Sequence, residues 1–325
     1  MAAHAAVLSS PAAERLMTAS WLWAVFTVIA AFTQTVRNAM QRELTGSLGT
    51  VGATHVRFLF GFPFAFVFLA ALLIIATSAS LPRPGLAFWP WVLVGAFAQV
   101  TATALMLAAM GGRSFVVTIA YTKTEPIQVA IFGLIFLGDR VTWPMMVAIV
   151  VATAGVVIMS TNPLAFLPGK RGVGEQGTNG VKPTLLGLAS GGMFALSAVG
   201  FRGAILSLGM SNYAVAASFT LSVGIAMQAV LLSLYLALRQ RAVLFAIMRA
   251  WRRSLFAGFA GAVASQFWFL AFALSSAANV RTRALIEVLF AQMIARFAFG
   301  QRTSAREALG MALVVAGVAL LIWAQ

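Results

Sequence analysis

The sequence contains no cysteine, only two histidines, and seven acidic residues against 22 basic ones in a chain of 325. Without cysteine there is no disulfide framework, no thiolate metal site, no CxxC redox pair and no Cys nucleophile. Charged residues make up only 9% of the chain, far below the roughly 25% of a soluble domain. The surface charge that keeps a globular protein in solution is therefore missing. Enzyme signatures are missing too: there is no HExxH, no GxSxG elbow, no P-loop and no His/Asp/Glu cluster at metal-ligand spacing. No cofactor and no metal is expected.

What the chain does have is apolar length. Hydrophobic residues reach 61%, and about ten runs of about 20 residues fit between breakers, each long enough to cross a bilayer. Hydropathy places them at 18–42, 51–77, 87–110, 113–137, 141–160, 183–207, 211–237, 254–275, 277–299 and 304–324. The net charge of +15 comes mostly from Arg residues that punctuate these runs. They form no solvated basic stripe, so a nucleic-acid partner is not expected. The partners implied are the lipid bilayer and a small-molecule substrate.

Two stretches read as lying outside the bilayer. Residues 161–182, Gly-rich with Lys170, Arg171 and Glu175, form a polar linker. Arg239 to Arg253, with five Arg among apolar residues, suits a short interfacial helix. The expected organisation is a tail (1–17), a first five-span unit (18–160), the linker (161–182) and a second five-span unit (183–325).

The two units resemble each other. A shift of 162 aligns Glu125 with Glu287, Gly138 with Gly300, Arg140 with Arg302, and Ala154-Gly155-Val156 with Ala316-Gly317-Val318. A shift of 163 aligns Gly95 with Gly258 and Leu107-Ala108 with Leu270-Ala271; a shift of 165 pairs Arg37 with Arg202. Because five is odd, the second unit enters the membrane in the opposite sense. The expected fold class is thus all-α integral membrane, ten transmembrane helices as two inverted-topology repeats. Carriers built this way hold their solute near the midplane between the repeats.

Leu105 to Ser160, with Tyr121-Thr122-Lys123-Thr124-Glu125-Pro126 and Gly138-Asp139-Arg140, resembles the end of an EamA-type domain of the drug/metabolite transporter superfamily. Phe272 to Trp323 resembles the second copy, and Arg57-Phe58 resembles an Arg-containing signature of the same domain. The second copy departs from the pattern at Gln301, at Val288 opposite Pro126, and in having no counterpart of Arg57. The resemblance implies a carrier of small metabolites, amino-acid-like compounds or amphipathic drugs, working by alternating access and exporting, in the bacterial cytoplasmic (inner) membrane. The competing readings are a non-transporting sensor and an integral membrane enzyme acting on lipid.

The residues that could carry transport follow from depth and chemistry. Glu125 and Glu287 fall about 15–18 Å from the ends of their spans at 1.5 Å per residue. A charge there costs about 3 kcal/mol to insert, so it marks function or a bound partner. A carboxyl group stripped of water can exchange protons as a cavity opens and closes, hence possible proton coupling. Arg283, one turn before Glu287, is expected to form a local ion pair with it. Lys123, two residues from Glu125, points to another face. Pro126 is expected to break its helix. Arg57 is a candidate for a substrate carboxylate, whereas Arg37, Arg202 and Arg296 are read mainly as snorkelling to the interface and His55 as interfacial. Trp268, Gln266 and Gln34 lie on aromatic faces suited to an amphipathic solute. Gly187-x-x-x-Gly191 and Gly258 to Gly261 read as close helix packing. The basic loop residues number twelve on the linker side and three on the side of the termini, which places the linker in the cytoplasm.

Overall fold

The computed structural model describes residues 11–75, 80–112, 122, 125–160, 181–210, 212–290, 292–293 and 305–323. Lys123, Arg296, Gln301, most of the linker and the starts or ends of several expected spans lie outside them.

Described residues are almost entirely helical. The first helix, α1 (Pro11–Leu59), runs through the expected loop between the first two spans and turns there at Gly49. Gly49 has φ 67 and ψ 175, a conformation open to glycine and costly for other residues. Gln41 bridges the bend, its Nε2 donating to the Ala53 carbonyl at 2.8 Å. A second interruption at Phe60-Gly61 separates α2 (Phe62–Ile75). Pro63 has no N–H for the Leu59 carbonyl, while the ladder continues on either side through Phe60 to Val56 and Ala65 to Gly61.

The chain continues with α3 (Phe88–Gly112), α4 (Glu125–Leu137), α5 (Trp143–Ser160), α6 (Val181–Ser207) and α7 (Tyr213–Arg239). Helix α7 is capped by Asn212, whose Oδ1 accepts from Ala214 and Val215 N–H at 3.1 and 3.2 Å. Then come the short α8 (Arg241–Arg249), α9 (Trp251–Leu274), α10 (Ala277–Arg283) and α11 (Ala305–Trp323). Between Arg283 and Glu287 the helix tightens into a 3₁₀ turn, Ala284–Ile286. By length and composition, five stretches suffice to cross a membrane: Trp21–Ile75, which contains the bend, Phe88–Met110, Leu185–Ser207, Tyr213–Arg239 and Trp251–Leu274. Three apolar helices are shorter: Glu125–Leu137, Trp143–Ile158 and Ala308–Leu321.

Burial is inverted relative to a water-soluble protein. Ile75, Leu86 and Trp143 are exposed, while Arg37, Gln41, His55, Thr103 and Ser190 are fully or almost fully buried. Lipid as solvent accounts for both: apolar side chains face out at no cost, and polar groups turn inward to find partners. The interfacial reading of His55 is therefore corrected; it is hydrogen-bonded to Ser233 Oγ at 3.0 Å inside the bundle.

The interhelical contacts come in exchanged pairs. Helix α3 packs along α6, and α9, which holds the aligned counterparts of α3 residues, packs along α1. The last helices of the two units, α5 and α11, pack on each other. A Cβ on Gly155 would lie 2.6 Å from the Gly310 carbonyl oxygen, and one on Gly317 would lie 2.8 Å from that of Ala148. Under the 162-residue shift Gly155 becomes Gly317, and Ala148 becomes position 310. The two contacts are thus the same contact made twice, and both require close backbone approach.

Candidate solute site

Between the units lies a small polar cavity. The first unit supplies Gln34 and Asn38 from α1, Met106 from α3, Thr122, and Glu125 at the start of α4; the second supplies Phe194 from α6, Arg281 from α10, and Glu287. Its volume is about 10 Å³, room for a single water. Asn38, Met106, Thr122, Glu125 and Glu287 are all buried, so the cavity is occluded.

Each carboxylate is held by the opposite unit. Glu125 Oε1 lies 2.9 Å from Arg281 Nε, both side chains almost fully buried. Removing one member of such a pair leaves a charge in low dielectric, a cost of about 3–5 kcal/mol. Glu287 accepts from Gln34 Nε2 at 3.1 Å and from Asn38 Nδ2 at 3.3 Å. The Arg281 guanidinium is also sandwiched against rings, 4.5 Å from the Trp268 centroid and 5.2 Å from that of Phe272. Trp268 in turn donates its indole N–H to Gln34 Oε1 at 2.9 Å. One connected network therefore runs from Glu125 through Arg281, Trp268 and Gln34 to Glu287.

The helix geometry explains why these atoms meet. Both carboxylates stand where a helical segment begins: α4 starts at Glu125, with Pro126 in its first turn, and Glu287 follows directly on the 3₁₀ turn. Proline is tolerated in that first turn because its missing N–H has no intrahelical acceptor. The second unit achieves its interruption without a proline. That turn also corrects the expected Arg283–Glu287 pair. Three residues of 3₁₀ geometry shift the helical phase, so positions 283 and 287 are not stacked. Arg283 instead lays its guanidinium over the Trp23 ring, 3.9 Å from the centroid.

The other expected site residues are placed as follows. Arg57 is buried, donating to Thr103 Oγ1 at 3.4 Å and Ser265 Oγ at 3.2 Å. Gln266 donates to Ser218 Oγ at 2.6 Å, a contact with α7, and is not among the residues lining the cavity. Trp268 stands one layer behind the lining. Lys123 lies outside the described residues. The snorkelling readings of Arg37 and Arg202 are corrected: Arg37 is fully buried and donates to Asn38 Oδ1 at 2.6 Å, and Arg202 forms an ion pair with Asp139 at 3.1 Å. The central roles of Arg281 and Asn38 were not singled out in sequence; Arg281 sits in the polar run Asn279 to Arg283, which looks like an interface.

Residues 21–161 belong to the EamA-like transporter family, part of the drug/metabolite transporter superfamily. No curated protein matches the chain in sequence. One solved crystal structure is similar to it with a TM-score of 0.66 at 16% identity, covering 93% of this chain and 95% of that one. That likeness concerns the fold, and it extends over both units. With its membrane-spanning helices and this family, the chain is an integral membrane protein, and the family is one of transporters.

Proposed function

We propose that the protein is a secondary carrier that moves a small solute through the cavity between two inverted five-helix repeats, ten spans in all, by alternating access. The observation that carries this reading is the exchange of contacts: α3 on α6 answers α9 on α1, and Gly155 on Gly310 answers Gly317 on Ala148. Two units packed through exchanged surfaces can swap conformations, turning a cavity open to one side into one open to the other. The occluded cavity, lined by both units, is the state such a cycle passes through. Family resemblance favours export, and the basic residues on the linker side favour a bacterial cytoplasmic membrane with the linker and α8 inside.

Proton coupling follows from the carboxylates. If Glu125 is protonated, its pair with Arg281 is lost, and the contact between the units loosens. The decisive experiment is flux in proteoliposomes under an imposed pH gradient. Glu125→Gln should abolish pH-driven transport while leaving exchange of solute, because the amide fixes the neutral state. Unchanged pH-driven flux in Glu125→Gln, in Glu287→Gln and in the double variant would rule the carboxylates out as the coupling site. Reporters at Gly177 and after Gln325 must also lie on opposite sides; a shared side sinks the ten-span reading.

A further inference from the structure

The polar interior is rich in positive charge. Arg37, Arg57, Arg281 and Arg283 are all at least nine-tenths buried, against two buried carboxylates, Glu125 and Glu287. Asp139 and Glu43 do not redress the balance, being engaged with Arg202 and Arg253 elsewhere. A guanidinium cannot shed its charge at any physiological pH, and hydroxyl or amide partners do not neutralise it.

Arg37 and Arg57 are where the excess is concentrated. The bonds Arg57 makes are to two hydroxyls, those of Thr103 and Ser265, and its Nε is buried with no acceptor. Arg37 donates from Nη2 to Asn38 Oδ1, while its Nε and Nη1 are buried with no acceptor. The two stems converge on the same spot of α9. A Cβ on Gly261 would stand 3.1 Å from Arg57 Cγ and 3.2 Å from Arg37 Cδ, so glycine leaves the space both side chains use. Arg57 also lies in the electrostatic field of Arg37 and Arg281. Like charges are gathered here, beside the cavity, without a described counter-charge. Asn38 joins them to it, lining the cavity and bonding both Arg37 and Glu287.

We infer that the transported solute is a small organic anion, a carboxylate or phosphate ester, whose charged group is bound by the guanidinium groups of Arg37 and Arg57. This rests on the carrier reading for the word transported, but the site itself does not. An entering anion displaces the Asn38 carbonyl oxygen from Arg37 Nη2 and satisfies the orphaned N–H groups of both arginines, for which a planar or tetrahedral oxyanion is the matching acceptor. The cost of keeping two cations buried in the empty carrier is then recovered on binding.

The test uses the purified full-length protein in detergent at constant ionic strength, reading apparent Tm against succinate, glutamate, inorganic phosphate, choline and glucose. At least one anion is expected to stabilise saturably, choline and glucose not. Phosphate acting more strongly than succinate assigns a phosphoryl group, and the reverse a carboxylate. Arg37→Gln and Arg57→Gln should each weaken the anion response at least about tenfold, the loss of a charge-assisted hydrogen bond. Their ligand-free Tm should not fall, because an uncompensated charge has been removed. A lowered Tm with an intact anion response makes the arginines structural and overturns the inference. So does stabilisation by choline or glucose alone, or no response to any of the three anions. If the glutamine variants do not fold, Gly261→Ala keeps both charges and crowds both stems; an unaltered anion response in it is equally fatal. Anion binding without flux refutes the carrier reading and leaves the site; flux of only a cation or neutral solute does the reverse.

Discussion

The two ends of α9 are fastened in different ways. At its C-terminal end Arg202 donates from Nη1 to the carbonyl oxygens of Phe272, at 3.1 Å, and Ser275, at 2.9 Å, and from Nη2 to Asp139 Oδ1 at 3.1 Å. That knot joins α6, the loop after α4 and the last turn of α9, with both ionic side chains only 13% exposed. At the N-terminal end Arg253 meets Glu43 across 3.4 Å with 76% and 73% exposure. Such an exposed pair contributes about 0–1 kcal/mol. The contrast teaches which end can yield: a carrier that opens at the C-terminal end of α9 must undo three bonds to one guanidinium, whereas the other end is barely tied. The described state is locked on one side by chemistry and on the other mainly by packing.

Substitutions can sharpen or break that contrast. The pair at the cavity sets the upper mark: Arg281→Gln should cost about 3–5 kcal/mol of unfolding free energy in a detergent titration, since it leaves Glu125 buried with its charge. The double variant with Glu125→Gln should recover part of the loss, and a double variant no better than the single one shows that the two side chains are not coupled. Next comes Arg202→Gln, expected to cost about 2–4 kcal/mol by leaving Asp139 and two carbonyls without their donor. Because the chain has no cysteine, a single cysteine at Ser275 reports on the same knot. Its labelling by a maleimide should accelerate about tenfold in Arg202→Gln, the effect of about 1.4 kcal/mol on local opening. Smaller still is Trp268→Ala, which should weaken solute binding and leave the fold, as the ring backs Arg281 and Gln34. Least is Arg253→Gln, below about 1 kcal/mol. A cost at Arg253 equal to that at Arg202 breaks the comparison outright.

Much of the frame was legible because lipid imposes a simple rule on sequence. Apolar runs bounded by Gly, Pro and Arg marked the helices to within a few residues, and α8 lies inside the basic stretch 239–253. The internal repeat brought Glu125 and Glu287 to attention, and both line one cavity. What remained hidden was direction around the helix axis. Hydropathy of a span that is apolar on every side says little about which face a polar residue occupies. Arg37 and Arg202 therefore looked able to reach the interface, and Gln266 looked able to face the solute. The tightening at Ala284–Ile286 was likewise invisible, for no proline or glycine announces it, and with it went the true neighbour of Arg283.

That three-residue turn also acts as a ratchet within α10. A 3₁₀ helix advances about 2.0 Å and 120° per residue, an α-helix about 1.5 Å and 100°. Rewinding Ala284–Ile286 into α-helix would draw the following segment back by about 1.5 Å and turn it by about 60°, swinging the Glu287 carboxylate away from Gln34 and Asn38 while Arg281, on the near side, kept its place. A single local change of winding would thus move one carboxylate and leave the partner of the other fixed, so the two acids need not be released together.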